Sequence, residues 1–335
     1  MNENSRPMVS VWMITYNHEE FITEAIDGVL MQQTNFQIEL IIGEDCSTDK
    51  TAEIIKAYQE KHPEIIKARF NKPNIGMMPN VIKTLEECTG KYIALCEGDD
   101  YWTDPLKLQK QVDFLENNGG YSGCFHDTEV KYIDSLKNNI LFSDFPANPF
   151  HNLEKHIFTI EDTFLGIIGH TSSFMFRNKA LDRYVKNNKL FSRIPFGDNV
   201  MISAVSEFGN LYRLNDIMSV YQINDQGVTK ASSDFNDNKK WLDNKISLYQ
   251  IQDAYFDYKY SKIIYKRIKY YKNKLTQYFW WEFLKQKSFS NFAIFFKSNN
   301  VFFIIKLIYK EVLNKIKIVL KINNSKVFIG KSTIV

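Results

Sequence analysis

Several common signatures are missing from this chain of 335 residues, and each absence narrows what it can be. The four cysteines, Cys46, Cys88, Cys96 and Cys124, show no CxxC spacing. They read as small core residues in a reducing compartment rather than as a disulfide or zinc set. No uninterrupted apolar run is long enough for an ordinary membrane-spanning helix. The N-terminus is polar and passes into a strand pattern, so no signal peptide is read there. GxGxxG and GxxxxGK[ST] are both absent, which argues against an ordinary dinucleotide fold and against a P-loop. Acids are scarce at one end only. Residues 261–335 hold 16 Lys and Arg against 2 acids, a net +14, which leaves −11 on the rest of a chain whose total is +3. The length suits one large domain with an appendage, or two domains.

What is present centres on Lys91–Trp102, KYIALCEGDDYW. An apolar run entering three acids and a glycine reads as a strand buried on both faces with a site at its carboxyl end. In an extended segment Glu97 and Asp99 share a face, and Gly98 between them leaves room for a ligand to approach the backbone. Hard oxygen donors beside open space suit hydrated Mg²⁺ or Mn²⁺ together with phosphates. An acidic loop with a purely structural role has the same appearance.

Around this stretch the periodicity alternates. Val9–Tyr16 reads as a buried strand, and Phe21–Leu30 has helical spacing. Ile38–Ile42 is a second strand ending in Gly43-Glu44-Asp45, with Ser47 or Asp49 able to cap the next helix. Residues 65–70 form a third short strand. A helix from about Asn80 is expected to close at Gly90, and Thr103-Asp104-Pro105 opens another. This alternation predicts a parallel, doubly wound sheet over residues 8–118. Further on, Gly123–His126 and Thr171–Arg177 are strand candidates, and residues 211–223 read as paired short strands. By spacing alone Asp198 is the N-cap of a helix carrying Val200, Met201, Ala204 and Val205.

From about 235 the pattern becomes helical and basic, with Trp241–Tyr260 read as one helix. Beyond it, Lys262, Lys266, Arg267, Lys269, Lys272 and Lys274 mix with tyrosines, Trp280-Trp281, Phe295-Phe296 and Phe302-Phe303. Two readings stay open: a segment lying on a bilayer interface, or an appendage packed on the sheet with its lysines in water. No nucleic-acid recognition motif is present.

Five motifs stand in order: Val9-Ser-Val-Trp-Met-Ile-Thr-Tyr-Asn17, Glu44-Asp-Cys-Ser-Thr-Asp49, Glu97-Gly-Asp-Asp100, Gly197-Asp198 and Met218-Ser-Val-Tyr221. Together they resemble family 2 of the inverting glycosyltransferases over about residues 8–228. The resemblance implies a GT-A nucleotide-diphospho-sugar transferase fold, a Rossmann-like mostly parallel sheet flanked by helices, with a helical basic C-terminal extension. It divides the chain into a GT-A domain at 1–232 (nucleotide half about 8–118, acceptor half about 119–232) and a basic, aromatic-rich region at 233–335.

The resemblance also assigns roles. Thr15, Tyr16, Asn17, Glu19, Asp45, Glu97, Gly98 and Asp99 would bind the nucleotide sugar, with Asp45 on the base. Asp99 would be the metal ligand in the DxD position and Asp198 the catalytic base, a role compatible with capping. The first acid of the triplet is Glu97 where Asp is usual, and Gly197 stands where many members have Glu. Gln222 and Asn224 stand where Arg and His are frequent, so a basic contact or a His ligand would come from elsewhere, for example His170 or Lys230.

The expected activity is inverting, Mn²⁺- or Mg²⁺-dependent hexosyl or N-acetylhexosaminyl transfer in cell-surface polysaccharide synthesis. The donor is expected to be a nucleotide sugar, UDP-linked by preference, and the acceptor a glycan or lipid-linked glycan. The expected location is cytoplasmic, with peripheral contact of 261–335 with the inner face of the membrane. The competing readings are a sugar nucleotidyltransferase, whose glycine-rich phosphate loop is missing here, and a non-catalytic glycan or nucleotide-sugar binder on the same fold.

Overall fold

The computed structural model describes residues 7–133, 137–145, 148–150, 154–186, 197–223 and 235–286, with the backbone alone for 235–236 and 280–286. The readings placed on Ile194–Phe196, Asn224, Gly227, Lys230 and the aromatic pairs beyond 286 lie outside the described residues.

Four parallel strands carry the N-terminal half: β1 (Val9–Thr15), β2 (Ile38–Glu44), β3 (Ile66–Phe70) and β4 (Tyr92–Leu95), in spatial order β3-β2-β1-β4. Helices α1 (Ile22–Leu30), α2 (Thr51–Lys61) and α3 (Met77–Glu87) make the crossovers. β1 and β4 are buried along almost their whole length, as expected for strands covered on both faces. In α1 the buried Ile22, Ala25, Ile26 and Val29 repeat at i, i+3, i+4 and i+7, the stripe that seats it on the sheet. These side chains join Val9, Val11, Leu40, Ile42 and Ala94 in one core cluster.

The second half adds β5 (Tyr101–Trp102), α4 (Lys107–Asn117), β6 (Tyr121–Tyr132), β7 (Ile140–Leu141), β8 (Ile157–Phe158), α5 (Ile160–Leu165), β9 (Met175–Arg177), α6 (Asp182–Lys186), α7 (Gly197–Ser206) and β10 (Asn210–Ile223). Among the described residues the sheet path is β3-β2-β1-β4-β9-β6-β10-β5, with β7 on β6 and β8 on β10. β9 runs antiparallel to β4 and β6, β10 parallel to β6, and β5 antiparallel to β10. The carboxyl ends of β1, β2, β4, β6 and β10 therefore share one edge of the sheet, and the acids of the organising stretch emerge there.

Several elements differ from the sequence reading. α3 begins at Met77, not Asn80, because Pro79 falls in its first turn, where no helical partner for its missing N–H is needed. It ends at Glu87, before Gly90. Gly90 instead sits where a side chain would strike the Ser10 backbone, its own N–H donating to Ser10 Oγ at 2.8 Å. Residues 210–223 form one bulged strand rather than a pair. Its register against β6 slips between Arg213 and Ile217 and again before Ser219, which erases the alternation that marks a single strand. The helix expected over 241–260 is α8 (Phe235–Tyr255), and α9 (Ser261–Gln286) follows it. Asp257 and Tyr258, both at positive φ, break the run between them.

The chain divides into two compact units, Met1–Ala231 with Ser247–Arg267, and Ser232–Ile246 with Ile268–Val335. A simple cut at 232/233 does not follow this division. Within the first unit, Tyr249 donates to the Phe164 carbonyl at 3.1 Å, Gln252 Nε2 to Ser203 Oγ at 3.2 Å, and Phe256 packs edge-on against Phe164. No helix among the described residues is long and apolar enough to cross a membrane.

Candidate functional site

The acid loop extends the ladder between β4 and β1. Cys96 N–H donates to Trp12 O and Gly98 N–H to Ile14 O, each at 3.0 Å. Gly98 is thereby pressed against Thr15. A Cβ built on it would lie 2.8 Å from Thr15 Cβ and Oγ1 and 3.1 Å from His18 Nδ1. The missing side chain makes room for Thr15 and His18, not for a ligand approaching the backbone as expected.

Residues 97–100 also do not continue as an extended strand. Asp100 N–H returns to Glu97 O at 3.2 Å, closing a turn. A turn brings i and i+3 together, so Glu97 and Asp100 meet, while the charge of Asp99 still acts on both. Glu97, Asp100 and His170 each offer a ligand atom, all within 4.8 Å of one another. Asp99 stands outside this trio, its Oδ2 3.8 Å from His18 Nε2. Beside the expected ligand Asp99, the turn thus creates a second candidate donor set in Glu97, Asp100 and His170.

Surrounding groups hold the trio in place. His170 Nδ1 lies 3.5 Å from Asp100 Oδ2 and 3.0 Å from Ser172 Oγ. Its ring stacks on Tyr221 with centroids 4.0 Å apart. Gln222 ties the turn to β10: its N–H reaches Asp100 Oδ1 at 3.4 Å and its Nε2 donates to Asp99 O at 3.1 Å. Trp102 Nε1 donates to Ser172 O at 2.9 Å, linking β5 to the His170 turn. Beneath the loop Lys107 is fully buried, its Nζ on Gln111 Oε1 at 2.7 Å and 4.0 Å from the centre of the Trp102 ring. Burial lowers this amine to about 7.

Crowded acids shift one another. Burial, then the charges of Asp99 and Asp198, push Glu97 up from 4.5 to about 8. Burial, with Asp99 and Glu97, raises Asp100 well above the carboxylate range. Burial drops His170 to about 3. A neutral imidazole beside crowded carboxylates offers nitrogen and oxygen donors of the kind that bind a cation once the acids release their protons. Mixed nitrogen and oxygen donors fit Mn²⁺. Two further buried polar atoms face the same loop without a partner, Thr15 Oγ1 and His18 Nδ1. The residues present therefore fit a divalent cation with a polar ligand.

The remaining expected residues fall into two groups. Asp198 is brought to the acid loop, close enough for its charge to act on Glu97. It lies inside the first turn of α7 rather than before it, so it is not the capping residue, although a carboxylate there favours the helix dipole. Tyr16 is 44% exposed at the end of β1, with its ring available to a ligand. Asn17, Glu19 and Asp45 are instead engaged with protein. Asn17 Oδ1 accepts from Thr48 N–H at 2.8 Å, and Glu19 Oε2 from Lys50 N–H at 2.9 Å, clamping the loops after β1 and β2 together. Asp45 accepts from Ile75 N–H (2.9 Å), Gly76 N–H (2.9 Å) and Asn71 Nδ2 (3.0 Å). Asn71 also bonds Asn80 at 3.0 Å, and Asn80 Nδ2 holds Gly43 O at 2.7 Å. Asp100 was marked only as a member of the acid cluster, and His18 and Asn71 were given no binding role from sequence, because the turn and the neighbouring loops create their contacts.

Comparison with known proteins agrees with this architecture. An uncharacterised protein of Mycobacterium bovis is 45% identical over 138 residues, covering 41% of this chain and 39% of that protein. The Bacillus subtilis protein TuaG, whose name assigns it to teichuronic acid biosynthesis as a glycosyltransferase, is 34% identical over 155 residues, 41% of this chain and 60% of that one. The matched segments thus span less than two thirds of these relatives. Among solved structures, S. aureus TarS 1-349 in complex with UDP-GlcNAc superposes with a TM-score of 0.52 at 16% identity, covering 81% of each chain. The mannosyltransferase PcManGT from Pyrobaculum calidifontis, in complex with GDP-Man and Mn²⁺, gives 0.55 at 15% identity, covering 92% of this chain and 80% of that one. At these identities the structures establish the shared fold, a mixed α/β GT-A architecture with a mostly parallel sheet. The profile of Glycosyl transferase family 2 matches residues 10–185, more than half of the chain, and the chain belongs to that family.

Proposed function

We propose that this protein is a metal-dependent inverting glycosyltransferase that moves a hexosyl or N-acetylhexosaminyl group from a nucleotide sugar to a glycan or lipid-linked acceptor in cell-surface polysaccharide synthesis. The observation that carries the reading is the convergence of Glu97, Asp100 and His170 with Asp198 at the carboxyl edge of the sheet. A UDP-linked donor is favoured, in keeping with the UDP-GlcNAc that TarS holds. Manganese is favoured by the mixed donor set and by its presence in PcManGT. The enzyme acts in the cytoplasm, at the inner face of the membrane where a lipid-linked acceptor presents its glycan.

Glu97, Asp100 and His170 would hold the cation, with the neighbouring Asp99 as the further carboxylate that could join them. When bound, it offsets the negative charge that develops on the departing diphosphate. Asp198 accepts the proton of the acceptor hydroxyl as that oxygen attacks the anomeric carbon, because an alkoxide is inaccessible at neutral pH without a positioned base. Attack opposite the leaving group inverts the anomeric centre. Tyr16 covers the nucleotide, and Asp45 holds the 71–76 loop against which the base rests.

Asp198→Asn tests the assignment. Loss of a general base costs about 10²–10⁴-fold in turnover, with nucleotide binding retained. Near-wild-type turnover in that variant removes Asp198 from the mechanism.

A further inference from the structure

Behind His170 runs a row of buried hydroxyls that no step of glycosyl transfer uses. Ser172 stands in the short turn Thr171–Ser173, Ser219 in β10 and Thr128 in β6, and none of the three has accessible surface. Buried hydroxyls need partners, and these find one another. Ser172 Oγ–H donates to Ser219 Oγ at 3.2 Å, and Ser219 Oγ shares a hydrogen bond with Thr128 Oγ1 at 2.9 Å. The row ends on the imidazole, where Nδ1 lies 3.0 Å from Ser172 Oγ. The ring has little freedom to tilt, because it stacks on Tyr221 and meets Phe142 edge-on with centroids 5.5 Å apart. That packing fixes the ring plane but not which nitrogen carries the proton.

The direction of the row decides it. Ser172 has one hydroxyl proton, and Ser219 takes it, so Ser172 Oγ meets Nδ1 as an acceptor. Nδ1 then carries the hydrogen. The Asp100 carboxylate, 3.5 Å from Nδ1, favours a proton there as well. The opposing contact is the Ser172 N–H, which approaches Nδ1 at 3.4 Å, beyond the ordinary hydrogen-bond range. A neutral imidazole protonated at Nδ1 has a bare lone pair on Nε2, and a metal-binding histidine ordinarily donates its other N–H in this way. We propose that Ser172, backed by Ser219, is a positioning residue that holds His170 as the Nδ1–H tautomer and so presents Nε2 to the cation. This role rests on the reading of His170 as a donor to the cation.

The full chain is used throughout the test. In metal-free protein with nitrogen-15-labelled histidine, NMR reads the tautomer, the His170 resonances being those missing from His170→Ala. Wild type is expected to show Nδ1–H, and an Nε2–H ring would overturn the proposal. Mn²⁺ alone is then titrated, with the free ion read by electron paramagnetic resonance. Ser172→Ala is expected to bind it about 10–100-fold more weakly, and Ser219→Ala, one link further away, to lose less. The Ser172→Ala loss is expected to vanish in the His170→Ala background, since a residue that acts through another adds nothing once that one is gone. A merely structural serine would weaken both backgrounds alike. Unchanged Mn²⁺ affinity in folded Ser172→Ala, or a loss that persists without His170, would overturn the role of Ser172 while leaving the cation site in place. If Ser172→Ala does not fold, Ser219→Ala is compared in the same two backgrounds, and a loss that is absent or independent of His170 is again fatal. A His170→Ala variant that binds Mn²⁺ as tightly as wild type would overturn the metal assignment of His170 and this role together.

Discussion

Replacing Glu97 with glutamine keeps the length and shape of the side chain and removes its charge. In the folded, metal-free chain this carboxyl is pushed from 4.5 to about 8 by burial and by Asp99 and Asp198. Below 4.5, folded and unfolded chains both hold the proton and nothing is lost. Between 4.5 and about 8 the unfolded chain releases its proton while the folded chain keeps it, so each pH unit subtracts about 1.4 kcal/mol from stability. By neutral pH the loss reaches about 3 kcal/mol as a ceiling, because Glu97 is only half-buried and water screens part of the repulsion. His126 and His170 act in the opposite sense, since both are held neutral by burial and are penalised as acid charges the unfolded chain. They are common to both proteins, so the difference between wild type and Glu97→Gln reports the Glu97 carboxyl together with the relief it gives Asp100. Urea denaturation in chelator, followed by tryptophan fluorescence, measures that difference. The glutamine variant is expected to match wild type near pH 5 and to exceed it by about 1–3 kcal/mol near pH 8. A difference that does not grow with pH would refute the claim that the metal-free site holds a protonated Glu97.

Other outcomes follow from the same geometry. His170→Ala removes the nitrogen donor and is expected to weaken Mn²⁺ binding by more than the roughly 10–100-fold that loss of an outer partner costs, read by calorimetry on the metal alone; unchanged affinity would exclude His170 as a ligand. Gly98→Ala must displace Thr15, which lies 2.8 Å from the added carbon, and is expected to cost about 1–3 kcal/mol in thermal unfolding; an unchanged melting temperature would contradict the close approach. Asn71→Ala strips one donor each from Asp45 and Asn80 and is expected to cost about 1–3 kcal/mol, with proteolysis reporting whether the 71–76 loop opens.

The nucleotide half was largely legible because its signals are local. Val9–Thr15 and Tyr92–Leu95 are apolar runs ending in acids or a turn, and α1 repeats at helical spacing, so periodicity alone places them. β10 was not legible, since its bulges break alternation at Ile217 and Ser219. β9 was found within Thr171–Arg177, but only its last three residues are strand, and its place between β4 and β6 is not a periodic signal. At the site, composition pointed to Glu97–Asp100 but not to its partner choice. That choice depends on the turn closed by Asp100 N–H on Glu97 O and on a histidine 70 positions later in the chain. Asp45 looked free at a strand end, yet the 71–76 loop folds back onto it, a contact that only tertiary structure discloses.

The most direct measurement is calorimetric titration of UDP, GDP and dTDP into the full chain, each with and without Mn²⁺. The account predicts that one nucleotide binds, UDP by preference, and that its affinity depends on the cation and falls in His170→Ala. Binding that is indifferent to Mn²⁺, or no binding of any nucleotide by folded protein, would contradict it.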